Sequence, residues 1–153
     1  MAITAKVLAG INFLKHITMV FFSWETKYVF NIESIDNEHK TLISMVDDLY
    51  TAMKSGNSKK IIRETVQNLI SYTRVHFRRE EMLLKSIGYG GLAEHEAEHK
   101  AFIAKVNEFK KKVDDGKDDF SVEVASFLRD WLSTHILITD KKYVAEMKRF
   151  SIN

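Results

Sequence analysis

Four stretches in which apolar side chains recur every three or four positions, in a chain of 153 residues without a single proline, leave few folds open. That period marks an amphipathic helix, and with no proline nothing is expected to interrupt one. The first stretch opens near Asp36 and carries Leu42, Ile43, Val46, Leu49, Tyr50 and Met53 to the turn Ser55-Gly56-Asn57. The second follows Ser58 and runs through Val66, Leu69, Ile70, Val75 and Met82 to a tight corner at Gly88, Gly90 and Gly91. The third starts at about Leu92, carries Phe102, Ile103, Val106 and Phe109, and stops at Asp114-Asp115-Gly116. The fourth opens near Asp119 or Ser121 and continues through Val124, Leu128, Trp131, Leu132, Ile136 and Tyr143. Short turns make sequential helices antiparallel neighbours, so the expected fold is all-α, an up-down-up-down four-helix bundle. One domain over 22–153, preceded by an N-terminal extension over 1–21, is the expected organisation.

The extension is mostly apolar from Val7 to Phe22, but Asn12, Lys15 and His16 interrupt it and no small-residue cleavage site follows. It therefore reads as neither a signal peptide nor a membrane span, which needs about 20 apolar residues. A net charge of +2 gives no basic excess for nucleic acid. The absence of cysteine excludes disulfides, thiolate zinc sites and iron–sulfur clusters, and it suits a reducing, cytoplasmic setting. Any bound metal must be held by nitrogen and oxygen.

Side chains able to do so stand at helical spacings: His39, His76 with Glu80, His95 with His99, and His135 with Asp140. Positions four apart lie about 40° apart on one helix face, so His76 with Glu80, and His95 with His99, project together. Five residues turn an α-helix by about 140°, so His135 and Asp140 meet one site only if each enters obliquely. Seven donors exceed the four of a single zinc ion. Two metals bridged by Glu80 and Asp140 use them all, and five imidazoles then divide three to two, which leaves one position open on one metal. Imidazole suits iron, copper, nickel and zinc alike.

The segments Asp36-Asn37-Glu38-His39, His76-Phe77-Arg78-Arg79-Glu80, His95-Glu96-Ala97-Glu98-His99 and His135-Ile136-Leu137-Ile138-Thr139-Asp140 resemble the ligand motifs of the hemerythrin family, most closely its single-domain bacterial members. The resemblance runs from about Phe22 to Phe150. It implies reversible O2 binding, for carriage, storage or delivery, at two iron ions with a bridging oxo or hydroxo group. It further implies that His95, His99 and His135 ligate the saturated iron and that His39 and His76 ligate the iron with the open position. Trp131, Leu132, Ile136 and Ile138 would form an apolar O2 pocket. A di-iron enzyme or protective protein acting on peroxide or nitrogen oxides, and an O2 sensor module, share the same motifs. An oxygen-consuming or electron-transfer protein would be the partner.

His95-Glu96-Ala97-Glu98-His99 also satisfies the zinc-protease pattern H-E-x-x-H. Phe102 and Lys105 stand where the extended form needs glycine and histidine, and the other five donors would go unused. Glu96 and Glu98 are then expected to be outward-facing charges.

Overall fold

The computed structural model describes residues 20–57, 59–117 and 122–152. The expectations for most of the extension, His16 included, fall outside the described residues. Four long helices follow one another: α1 over Glu33–Lys54, α2 over Lys59–Ser86, α3 over Leu92–Asp114 and α4 over Val122–Thr134. A short α5, Val144–Arg149, continues beyond α4. Helix α1 packs on α2 and α4, and α2 packs on α3, the neighbour relations of the expected antiparallel bundle. Among the described residues, no helix is long and apolar enough to cross a membrane.

Each of α1, α2 and α3 is stopped by a glycine in the left-handed region: Gly56 (φ 66°), Gly88 (φ 66°) and Gly116 (φ 70°). Glycine takes this conformation without the Cβ clash other residues meet, and it lets the following amides turn back onto the last carbonyls. After α2, Tyr89 N–H donates to Leu84 O at 3.0 Å, closing the helix end. The core lies along the bundle axis, with Leu42, Ile43, Val46 and Leu49 facing Leu69, Ile70, Leu84, Phe102, Val106, Leu128 and Leu132. All of these are essentially buried, and each such side chain stabilises the fold by about 1.5–3 kcal/mol.

Two expectations change. Helix α1 opens at Glu33, a turn earlier than Asp36. Asp36 lies inside the helix, where its carboxylate accepts the amides of Phe30 (2.9 Å) and Asn31 (3.0 Å), tying down the incoming chain where Asn31 turns at φ 56°. The fourth helix, expected to be uninterrupted, is broken despite the absence of proline. After Thr134 the chain forms a π-helical turn, His135–Thr139, and then a 3-10 turn, Asp140–Lys142, before α5. The entering segment is fastened to the bundle as well: Phe21 stacks on Tyr50 at 4.0 Å, and the Phe21 and Phe22 amides donate to Asp47.

Candidate metal centre

The inward stripes of the bundle bring all seven donor residues to one place near its axis, none of them more than 3% exposed. Helix α1 contributes His39, α2 contributes His76 and Glu80, α3 contributes His95 and His99, and the broken end of α4 contributes His135 and Asp140. Their donor atoms fall into two groups, each within 4.8 Å: Glu80, His95, His99, His135 and Asp140 in one, and His39, His76 and Glu80 in the other. Glu80 belongs to both. Asp140 also faces both ways, with Oδ1 3.0 Å from His135 Nε2 and 3.4 Å from His95 Nε2, while Oδ2 lies 3.3 Å from His39 Nε2.

The π-helical turn resolves the awkward spacing of His135 and Asp140. In an α-helix five residues overshoot one turn by about 140°, whereas a π-helix pairs residue i with i+5. Within His135–Thr139 the extra residue is absorbed, so Asp140 returns under His135 and both side chains face inward. Oblique entry is not needed. Isolated π turns of this kind occur frequently at functional sites, where they re-aim a side chain.

Five buried polar atoms here have no hydrogen-bond partner: both ring nitrogens of His39, Nδ1 of His95 and both oxygens of Asp140. Asp140 has only imidazole nitrogens within reach of its oxygens, and the His39 ring and Nδ1 of His95 are left without partners, so the donor set fits bound metal. The charges agree. Burial and the neighbouring Glu80 push the Asp140 carboxyl up, but His135 and His39 outweigh them and hold it below its ordinary value. Burial likewise opposes ionisation of Glu80, while His95, His99 and His76 hold it well below the carboxylate range. Burial lowers His135, yet Asp140, Glu80 and Glu98 lift it to about 9. Without metal, protons held on neighbouring imidazoles such as His135 offset the charge of the buried carboxylates; metal binding displaces such protons from its ligands.

Around the donors stand residues whose roles sequence reading did not find. His76 Nδ1 donates to Glu38 (2.7 Å), His99 Nδ1 to Glu81 (2.8 Å) and His135 Nδ1 to Glu98 (2.8 Å). A donor hydrogen at Nδ1 leaves the Nε2 lone pair pointing to the centre and makes the imidazole a stronger ligand. Glu98, expected to face outward, thus crosses to His135 and also accepts from Thr139 at 2.9 Å. These partners lie 38, 18 and 37 positions apart, so no local spacing announces them. Tyr143, fully buried, donates its hydroxyl to Glu80 Oε1. Burial, together with the charges of Asp140 and Glu80, raises the phenol well above its ordinary value and keeps it a donor.

We expect Glu81→Gln and Glu98→Gln each to weaken metal affinity about 10–100-fold with the fold intact. Competition with a chelator at equilibrium measures this, and unchanged affinity in both variants would rule out the role.

The lining is aromatic on one side. Phe77 stacks on His99 with ring centroids 3.6 Å apart, and Trp131 stacks on His135 at 4.4 Å. Leu132 and Ile136 are 1% exposed. Ile138 departs from its expected place: it is 59% exposed, because a turn that directs His135 and Asp140 inward carries the residue between them to the surface. It stands outside the buried lining.

A family model, the hemerythrin HHE cation binding domain, matches residues 31–147. The bacteriohemerythrin of Clostridium acetobutylicum is 34% identical over 127 residues, covering 80% of this chain and 98% of that protein. Myohemerythrin-1 of Phascolopsis gouldii is 30% identical over 126 residues, covering 82% and 94%. A crystal structure of wild-type hemerythrin superposes with a TM-score of 0.77 at 31% identity, covering 82% of this chain and 96% of that one.

Proposed function

We propose, from the premise that this chain belongs to the hemerythrin family, that His95, His99 and His135 hold one iron ion, that His39 and His76 hold a second, and that Glu80 and Asp140 bridge them. Reversible O2 binding at this non-haem di-iron centre is the function, for carriage, storage or delivery. An iron pair held there, with its oxo or hydroxo group, would supply the reversible electron-transfer chemistry that O2 binding needs. Everything else is the work of the chain. Two carboxylates fix the spacing of the pair, and three Nδ1 hydrogen bonds orient the rings. The Tyr143 hydroxyl holds Glu80 in place. O2 is taken up on the side of His39 and His76, where the donor group is smaller.

The observation that carries the reading is the membership of Glu80 in both donor groups, beside an Asp140 whose oxygens have no hydrogen-bond partner. A binding role is favoured over an enzymatic one by the donor chemistry. Oxygen-activating bundles use carboxylate-rich sites, whereas five of the seven donors here are imidazoles, which leave less negative charge to support high-valent iron. A cytoplasmic setting, suited to a chain without cysteine, belongs to the same reading. Repeated cycles of oxygenation and argon flushing test it: the starting spectrum returns after each cycle for a binder, and decays irreversibly within the first cycle for an enzyme consuming O2.

Leu132 and Trp131 exclude water from the centre in this account. Leu132→Ala is expected to retain two irons per chain and to autoxidise several-fold faster, at a cost of about 2–5 kcal/mol in stability. Autoxidation at the parental rate would remove Leu132 from the pocket.

A further inference from the structure

A groove of 410 Å³ runs between α2 and α3, with the donor His99 in its lining. Phe77, His99 and Glu81 line it, with Arg74, Arg78 and Lys100 among its remaining lining residues beside the apolar Ile103. The positive charges are poorly answered. Arg78 has no hydrogen-bonding or ionic partner among the described residues, and Arg74 binds only the neutral amide of Asn107, at 3.2 Å. Lys100 is 78% exposed and lies 3.5 Å from Glu96. The carboxylate lining the groove, Glu81, is committed to His99 Nδ1 and is 27% exposed. The groove therefore combines a cationic border, an apolar flank and a hydrogen-bonded connection from the surface to a buried donor histidine.

We propose that this α2–α3 groove is the docking site for the acidic face of a one-electron carrier protein that returns the oxidised iron pair to the diferrous state. The proposal rests on the O2-binding reading, in which the centre must be diferrous to bind O2 and needs a reductant after it has autoxidised. Two reduced carriers each lose one electron, the two ferric ions each gain one, the bridging oxygen takes a proton from solvent, and no bond to the carrier forms. Small, charge-matched and short-lived interfaces are characteristic of redox pairs, and opposite charges speed the encounter. Phe77, stacked on His99, and Glu81, bonded to it, bring the docked surface next to the centre without exposing the donors.

A reduced plant-type [2Fe–2S] ferredoxin, an acidic one-electron carrier of low potential, serves as probe. The second-order rate of reduction of the diferric protein is measured at low ionic strength for the parent, Arg78→Glu, Lys100→Glu and the remote control Lys60→Glu. Each groove variant should slow ferredoxin by about tenfold, with the difference vanishing near 1 M salt, where charges are screened beyond about 3 Å. Reduced methyl viologen, a small cation, should reduce the groove variants no more slowly than the parent. Carbodiimide coupling, which joins a lysine amine to a carboxylate with loss of water, gives a readout independent of iron. Lys100 should dominate the ferredoxin cross-links, with or without metal. Equal ferredoxin rates in the parent and both groove variants, or cross-links spread evenly over surface lysines, would overturn the proposal. If viologen-reduced protein fails to bind O2 reversibly, the functional reading fails by itself, whatever the ferredoxin rates.

Discussion

Replacing Glu80 by alanine should strip the protein of both irons at once. Glu80 is the donor common to the two groups, so its loss removes a ligand from each ion and the charge that compensates the pair. The consequences reach further, because the buried Tyr143 hydroxyl loses its acceptor and His95 and His99 lose a carboxylate 3.0 and 3.3 Å away. Removing a partner outside the coordination sphere already costs about 10–100-fold in metal affinity. Loss of a bridge should cost at least that for both ions, so iron per chain measured after gel filtration falls close to zero. Asp140→Ala should behave alike, since its two oxygens face His135 and His39 respectively. Glu96→Ala, which removes the half-buried partner of the exposed Lys100, should keep the parental iron content. An iron pair retained in Glu80→Ala, or exactly one ion lost, would contradict a shared bridge.

The second large effect is expected at Phe77. Its ring is 4% exposed, stacks on His99, and approaches Phe102 and Trp131 at 5.8 Å each and His135 at 6.2 Å. Truncating a buried phenylalanine to alanine costs about 3–5 kcal/mol, a large share of the roughly 5–15 kcal/mol that stabilises a domain. Thermal unfolding of Phe77→Ala should therefore move down by about 10 °C, in the metal-free protein as well as the loaded one. Phe77→Leu refills most of the volume and should lose far less. A midpoint within a degree or two of the parent would show that the ring merely covers His99 without supporting the core.

The bundle was readable because helix existence depends on a repeated pattern, and the pattern here is regular. Ends marked by glycine were placed well: Gly56, Gly88 and Gly116 each stop a helix where the apolar period stops, for a backbone reason local to the residue. Helix α1 starts a turn before Asp36, at residues outside the apolar period, and Asp36 reaches back to Phe30 and Asn31 from inside the helix. The π-helical turn left no compositional trace. Its only mark in the sequence is the five-residue step from His135 to Asp140, which strains an α-helix and fits a π turn. The donors stood out because their spacing lies within single helices, whereas Glu38, Glu81 and Glu98 act across helices and become visible only when the bundle is assembled. Ile138 sits among donor-motif residues in sequence and on the surface in space.

An anaerobic titration of the iron-loaded, fully reduced protein with O2, followed in the visible and paired with iron analysis of the same sample, tests the central claim most directly. The account predicts two irons per chain, an absorption change that saturates at one O2 per iron pair, and full reversal on removal of O2. Fewer than two irons per chain, or an absorption change that O2 removal does not reverse, would contradict it.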